Sequence, residues 1–147
     1  MQLSESVRAF LNSQPIGHLA TADAQGAPHV VPVCFALIND EVFIAIDEKP
    51  KSTMRLKRLR NIEQNPQAAL TVDFYDKDWS RLRWVMLRGL AEIEYGKGVA
   101  EAIIALRKKY PQYRSTDFAG RPVIRLRPER LNEWASTVAE GSPADRS

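Results

Sequence analysis

Between residues 29 and 47 the large apolar side chains fall on every second position: Val31, Val33, Phe35 and Leu37, then Val42, Ile44 and Ile46. Side chains of a strand point alternately to opposite faces, so this period of two predicts two strands that share one core. Asn39-Asp40 supplies the tight turn between them. Runs of similar character at 16–22, 68–75, 83–94 and 123–126 raise the expected number of strands to six.

Helical spacing fills the gaps. Ser4 caps a short helix whose Val7, Phe10 and Leu11 form one apolar stripe, ended by Asn12 and Pro15. Residues 51–63 carry Leu56, Leu59 and Ile62 inward and stop at Asn65-Pro66, and residues 97–109 place Ala102, Ile103 and Leu106 on one face before Tyr110-Pro111. Residues 76–82 form a polar and aromatic hairpin loop. Closely spaced strands with mostly hairpin connections predict a mainly β, α+β fold, a small antiparallel barrel that avoids open edges by closure, with an open α+β sandwich as the alternative.

The 147 residues suffice for one domain, expected over residues 1–135, followed by a mobile tail over 136–147 that contains Gly141, Ser142 and Pro143. At 44% hydrophobic and 27% charged the chain has the balance of a folded globular protein. The longest apolar run, 30–38, falls far short of the ~20 residues of a membrane span, and the start carries no secretory pattern, so a cytoplasmic location without a membrane partner is expected. Cys34 is the single cysteine, and His18 and His29 stand in no metal-ligand spacing, so no metal is expected.

Residues 49–55, Lys-Pro-Lys-Ser-Thr-Met-Arg, lie where a strand hands over to a helix. A helix N-terminus is partially positive, and cations in its first turn are disfavoured unless an anion sits there. Lys49, Lys51 and Arg55 run against that preference, Ser52 or Thr53 adds a hydroxyl, and Pro50 stiffens the approach, which together suit a phosphate. Lys51 and Arg55, at i and i+4, begin the helical stripe continued by Leu59 and Ile62, where a charge needs a bound anion or a snorkelling stem. The alternative is a set of solvated surface charges. Lys57, Arg58 and Arg60 lie mainly off the stripe, free to serve an extended anion or solubility.

Pro32 interrupts a strand although proline removes a ladder donor, so part of that strand lacks a neighbour: it is either an ordinary edge or a lip against which a planar ligand packs. Tyr75, Trp79 and Trp84 surround the hairpin loop and suit either a flat ring or a subunit contact, with core packing the alternative for Trp84. Asp73 and Arg88 read as a cross-strand pair. His18 and His29 read as structural or exposed side chains and Cys34 as a small buried hydrophobe. With no Ser-His-acid set, metal box or Gly-rich phosphate loop in the sequence, the reactivity would have to come from a bound cofactor.

The ordered segments Leu19-Ala20-Thr21, Gly26-Ala27-Pro28-His29-Val30-Val31-Pro32-Val33, Lys49-Pro50-Lys51-Ser52, Leu59-Arg60-Asn61-Ile62 and Asn65-Pro66, joined by Tyr75-Asp76, Asp78-Trp79 and Tyr110-Pro111-Gln112-Tyr113, resemble the pyridoxamine 5′-phosphate oxidase-like split-barrel superfamily. The likeness runs from about Phe10 to Trp134 and is strongest to the superfamily's coenzyme F420-dependent branch from actinobacteria. It implies a six-stranded split barrel acting as a homodimer, with a flavin or deazaflavin at the subunit interface. By that resemblance Lys49 and Lys51, with Ser52 beside them, hold the cofactor phosphate. Val31, Pro32, Val33 and the next two residues line the ring through their backbone, and Trp79 and Trp84 approach from the partner. True pyridoxamine-phosphate oxidases carry an arginine on the strand corresponding to 29–37 and a basic motif near the C-terminus. Here the strand has no arginine and Arg125-Leu126-Arg127-Pro128 matches poorly, which argues against vitamin B6 oxidation.

The expected activity is hydride transfer to or from a small unsaturated substrate with F420, whose poly-acidic tail suits Arg55, Lys57, Arg58 and Arg60, or with FMN. A non-catalytic carrier of flavin, F420 or haem is the alternative. Nucleic acid is not an expected partner, because no stacking aromatics interleave with the basic residues.

Overall fold

The computed structural model describes residues 1–47 and 56–136. Helix α1 (Glu5–Ser13) is capped as the sequence predicts, with the Val7 N–H donating to Ser4 Oγ at 3.2 Å and Val7, Phe10 and Leu11 buried. The strands are β1 (Gly17–Ala22), β2 (Pro28–Val33), β3 (Phe35–Ile38), β4 (Glu41–Ala45), β5 (Gln67–Phe74), β6 (Arg83–Glu94) and β7 (Val123–Ala135). Helices α2 (Lys57–Gln64) and α3 (Lys97–Lys109) lie between β4 and β5 and between β6 and β7.

All seven strands form one antiparallel sheet in the order β2-β1-β5-β6-β7-β4-β3. The two edge strands, β2 and β3, are consecutive in the chain and joined through Cys34 alone, so the sheet curls until its edges meet at a covalent seam: a split barrel rather than an open sandwich. Seven strands stand where six were expected because the run 29–38 is divided at this seam. Its alternation nevertheless passes through unbroken. Val31, Val33, Phe35 and Leu37 all face the same core, while the hydrogen-bonding partner changes from β1 to β4.

That core is a cylinder of aliphatic side chains, Leu19, Phe35, Ile44, Leu70, Leu87 and Leu126 among them, closed by Val7, Phe10 and Leu11 of α1 and by Leu59 and Ile62 of α2. A second apolar cluster lies outside the barrel. There α3 lays Ala102, Ile103 and Leu106 over Ala36 of β3 and Phe43 and Ala45 of β4, with Tyr110, Tyr113 and Phe118 filling the margin.

Three further expectations are corrected. The last strand does not end at Leu126 but runs to Ala135, because a register shift between Arg88 and Gly89 leaves Glu129 as the extra residue of a bulge and accommodates Pro128. Gly89 makes that bulge possible, since a Cβ there would overlap the carbonyl oxygen of Arg127. Helix α2 starts at Lys57, not Lys51: Leu56, with φ −57° and ψ 143°, is extended. Its half-buried side chain packs on the core. Lys51 and Arg55, expected on one stripe with Leu59 and Ile62, lie outside the described residues. Finally, Asp73 stands opposite Trp84 and Arg88 opposite Ala69, so Asp73 and Arg88 are not a cross-strand pair.

Candidate functional site

The seam and the ends of β4 and α2 converge on a hollow of about 170 Å3 lined by Ile16, Pro32, Val33, Cys34, Ala45, Asp47 and Arg58. Asp47 and Leu56 are the described residues that bracket the segment carrying Lys49, Lys51, Ser52 and Arg55. These four expected phosphate ligands lie outside the described residues.

Each wall has a sequence cause. Strand β2 sits at the sheet edge, paired only with β1 among the described residues, as Pro32 led us to expect. Val31 and Val33 turn into the barrel and Pro32 turns outward, leaving main chain and a proline ring as the outer lip. Opposite them Arg58 is 6% exposed. This corrects the expectation of a solvated or freely available cation, since the short α2 rotates residue 58 toward the hollow. Lys57, by contrast, stays outside and approaches Asp23 at 3.8 Å.

Two buried phenols brace residues at and next to the hollow's lining. The Tyr110 hydroxyl accepts the Phe35 N–H at 3.0 Å and lies 2.8 Å from the Pro15 carbonyl oxygen and 3.0 Å from that of Phe35, acceptors between which it can place its own proton. It thus satisfies the backbone where the strand changes partner. Burial pushes this phenol up to about 12, opposed by the Phe35 backbone. Tyr113 donates to Asp47 Oδ2 at 2.7 Å, and burial together with that carboxylate drives its pKa well above the usual phenol range. Lys109 rests its ammonium 3.6 Å from the Phe35 ring centroid and donates to the Leu11 carbonyl at 3.1 Å. Burial lowers it to about 8, with the Cys34 thiol pulling the other way. Arg121 donates to the Ile46 carbonyl at 3.1 Å and pins the strand end beside Asp47.

The aromatic residues divide. Trp79 is 68% exposed on a single 3-10 turn (Trp79–Arg81) capped by Asp78, with its Nε1 3.4 Å from the Tyr75 hydroxyl. Trp84 is half-buried on the outer sheet face, opposite Trp134 of β7. Neither lines the hollow. His18 is exposed, while His29 faces inward on β2, half-buried.

Sequence reasoning did not assign Asp47, Arg58 or Tyr113 to this place. The signal for Tyr113 was present in Tyr110-Pro111-Gln112-Tyr113, a helix stop followed by two phenols, but the partner of a buried phenol sixty-six positions away is not written in local spacing.

A curled antiparallel sheet with a covalent seam, a plug of short helices and a hollow beside the seam defines the split-barrel class. The chain belongs to the pyridoxamine 5′-phosphate oxidase family, whose profile matches residues 3–135. It is 28% identical over 135 residues, 91% of this chain and 84% of the relative, to the 5a,11a-dehydrotetracycline/5a,11a-dehydrooxytetracycline reductase of Streptomyces rimosus. Among solved structures, a conserved hypothetical protein of Mycobacterium tuberculosis superposes with a TM-score of 0.76 at 22% identity, covering 99% of this chain and 92% of the other. The haem storage protein HutZ of Vibrio cholerae superposes with 0.67 at 20% identity, covering 89% and 94%. Likeness at these identities establishes the shared fold.

Arg125, in the stretch that matches the family's C-terminal basic motif poorly, is engaged by carboxylates. Its Nη2 contacts both Glu41 oxygens at 2.7 and 2.9 Å and its Nη1 contacts Glu94 at 2.9 Å. Arg127 likewise pairs with Glu92. These contacts tie β4, β6 and β7 together on the outer surface.

Proposed function

We propose that this protein is a flavin- or deazaflavin-dependent oxidoreductase of the cytoplasm that moves a hydride to or from a small unsaturated substrate, with F420 favoured narrowly over FMN. The observation that carries the reading is the hollow beside an edge strand that turns Val31 and Val33 inward and Pro32 outward. Main chain at Val31 and Val33 and the face of Pro32 offer a flat lip, and the segment bearing Lys49, Lys51, Ser52 and Arg55 begins at its rim. The described walls fit the edge of a planar ring system, and Arg58 adds a cation at the side from which that segment returns. Family membership and a relative named as a reductase of dehydrotetracyclines support the redox class.

Bound there, the cofactor would supply the hydride chemistry. Lys49, Lys51 and Ser52 would hold its phosphate, with Arg55 available to an acidic tail. The protein's own part is orientation and exclusion of water: β2 fixes the plane, while Tyr110 and Tyr113 keep the seam closed beneath it. Both phenols are protonated at neutral pH, and their raised pKa values extend that into alkaline pH. Trp79, Trp84 and the outer apolar positions around them would meet a second copy in a homodimer, bringing an aromatic face to the partner's cofactor.

Titration of the full chain with F420 and with FMN, followed by cofactor fluorescence, tests the reading. One cofactor per chain should bind, and Lys51→Ala should weaken it at least about tenfold, as loss of a charged hydrogen-bond partner does. Unchanged affinity would remove Lys51 from the site, and failure of both cofactors to bind would end the proposal. The fold shared with a haem storage protein motivates the rival reading of a carrier. Stopped-flow reduction decides it: a protein that binds the cofactor but never exchanges hydride with any unsaturated acceptor is a carrier.

A further inference from the structure

At the other end of β2 from the hollow, a second and larger depression of about 730 Å3 opens on the outer face of β1, β5, β6 and β7. Its floor is made of small residues, Ala20, Ala22, Ala69 and Gly89 among them, and two arginines stand in its wall, Arg88 and Arg130.

The two arginines are unusual in their partners. They face each other directly across β6 and β7, immediately beside the bulge. Like charges directly opposite one another in a sheet repel. The other arginines of these strands are matched to carboxylates: Arg83 to Glu133, Arg125 to Glu41 and Glu94, Arg127 to Glu92. Among the described residues Arg88 has no carboxylate. One of its Nη atoms donates to the neutral Asn132 Oδ1 at 2.8 Å, while its Nε is buried and meets no acceptor. Arg130, exposed, has no ion pair among the described residues. The acidic side chain in the lining is Glu129, the extra residue of the bulge, which leaves the depression with two positive charges against one negative.

A guanidinium without a carboxylate partner, one Nη of which meets only a neutral amide, beside a second guanidinium is poised for an oxyanion, which bridges two arginines through N–H···O contacts. The bulge brings the two arginines to one level, and the small floor residues let a ligand lie close to the sheet. A volume of this order is that of a small-molecule site. We propose that this depression is a second anion site, separate from the seam hollow, which binds the carboxylate or phosphate group of a small organic acid between Arg88 and Arg130. The assignment does not depend on the cofactor reading.

Isothermal titration of the full chain with malonate and, separately, inorganic pyrophosphate tests it and distinguishes the two kinds of anion. Chemical shifts of the arginine Nε–Hε pairs are followed in parallel. Saturable binding that moves the Arg88 signal is expected, separate from any anion taken up at the cofactor segment. Arg130→Gln, an exposed change, should weaken it about tenfold, the loss of a charged hydrogen bond. Arg88→Lys keeps the charge but not the fork and should weaken it as well, while Lys51→Ala should leave it unchanged. Absence of saturable binding would overturn the proposal. So would binding that survives Arg130→Gln but is lost in Lys51→Ala, which would put the anion at the cofactor segment. A change in sedimentation of Arg130→Gln without any anion binding would make the pair part of a self-contact and would overturn it too.

Discussion

The two halves of the sheet are covered differently on their outer side. Over β3 and β4, α3 completes a second apolar layer, so Ala36, Phe43 and Ala45 are all buried. Over β1, β5 and β6 the corresponding positions, Ala20, Ala69, Thr71, Met86 and Trp84, are only half-buried, and Val30 on β2 is 61% exposed. A contiguous face of small and apolar side chains left outward marks a binding or association surface. The proposed self-contact and the second anion site lie on this bare side, the aromatic positions at one end of β6 and the arginine pair farther along it, whereas the seam hollow lies beside the covered half. The covered half carries the seam; the bare half carries the outward-facing small and apolar side chains.

The sharpest way to break this comparison is at the bulge, which the bare half needs and the covered half lacks. Gly89→Ala puts a methyl group into the carbonyl oxygen of Arg127, backbone that cannot step aside without breaking the β6–β7 register. A loss of roughly 3 kcal/mol or more is expected by urea denaturation, in the range of overpacking against fixed atoms. A variant as stable as the parent would mean that the bulge is plastic and that the level of Arg88 and Arg130 is not fixed by it.

A smaller effect is expected in the covered half. Tyr110→Phe keeps the ring in its cluster but leaves the Phe35 N–H without its acceptor, at a cost of about 1–3 kcal/mol. Hydrogen exchange of the Phe35 amide should accelerate with it. If that amide stays protected, the seam is closed by something other than this hydroxyl.

How much of this could be read in the sequence follows from the range of the forces involved. Helix α1 is local: a cap three residues from its donor and a stripe at three-four spacing, all visible in residues 4–11. The alternation of Val31, Val33, Phe35 and Leu37 was likewise legible and correct in phase. Periodicity, however, reports which face a side chain takes and says nothing of which strand lies alongside, so the seam at Cys34 was invisible and seven strands were counted as six. The overlong helix from residue 51 failed for a related reason. Leu56 fits a helical stripe, but packing on the core holds it extended. The charges of residues 49–55 lie outside the described residues. The hollow, which needs Asp47, Arg58 and the seam in three dimensions, was not legible.

The smallest effect is electrostatic and again belongs to the covered half. Folding lowers Lys109 from 10.5 to about 8 by burial, so between those values the unfolded chain holds a proton that the folded chain has released. Stability must then rise with pH from about 8 toward 10.5, the cost of the buried ammonium being present in full below that window. Tyr110 acts in the opposite sense. Its phenol, raised from 10.0 to about 12, stays protonated in the folded chain while the unfolded chain ionises, so stability falls between those values. Together they place a maximum near pH 10. Lys109 remains partly in contact with solvent, and the Phe35 ring 3.6 Å away favours the cation, so the rise is expected to be only about 1 kcal/mol. Lys109→Met keeps the stem against the ring and removes the charge. Its unfolding free energy, measured by urea titration from pH 7.5 to 10, should lose the rising limb, and a rise that persists would show that the ammonium is compensated where it lies.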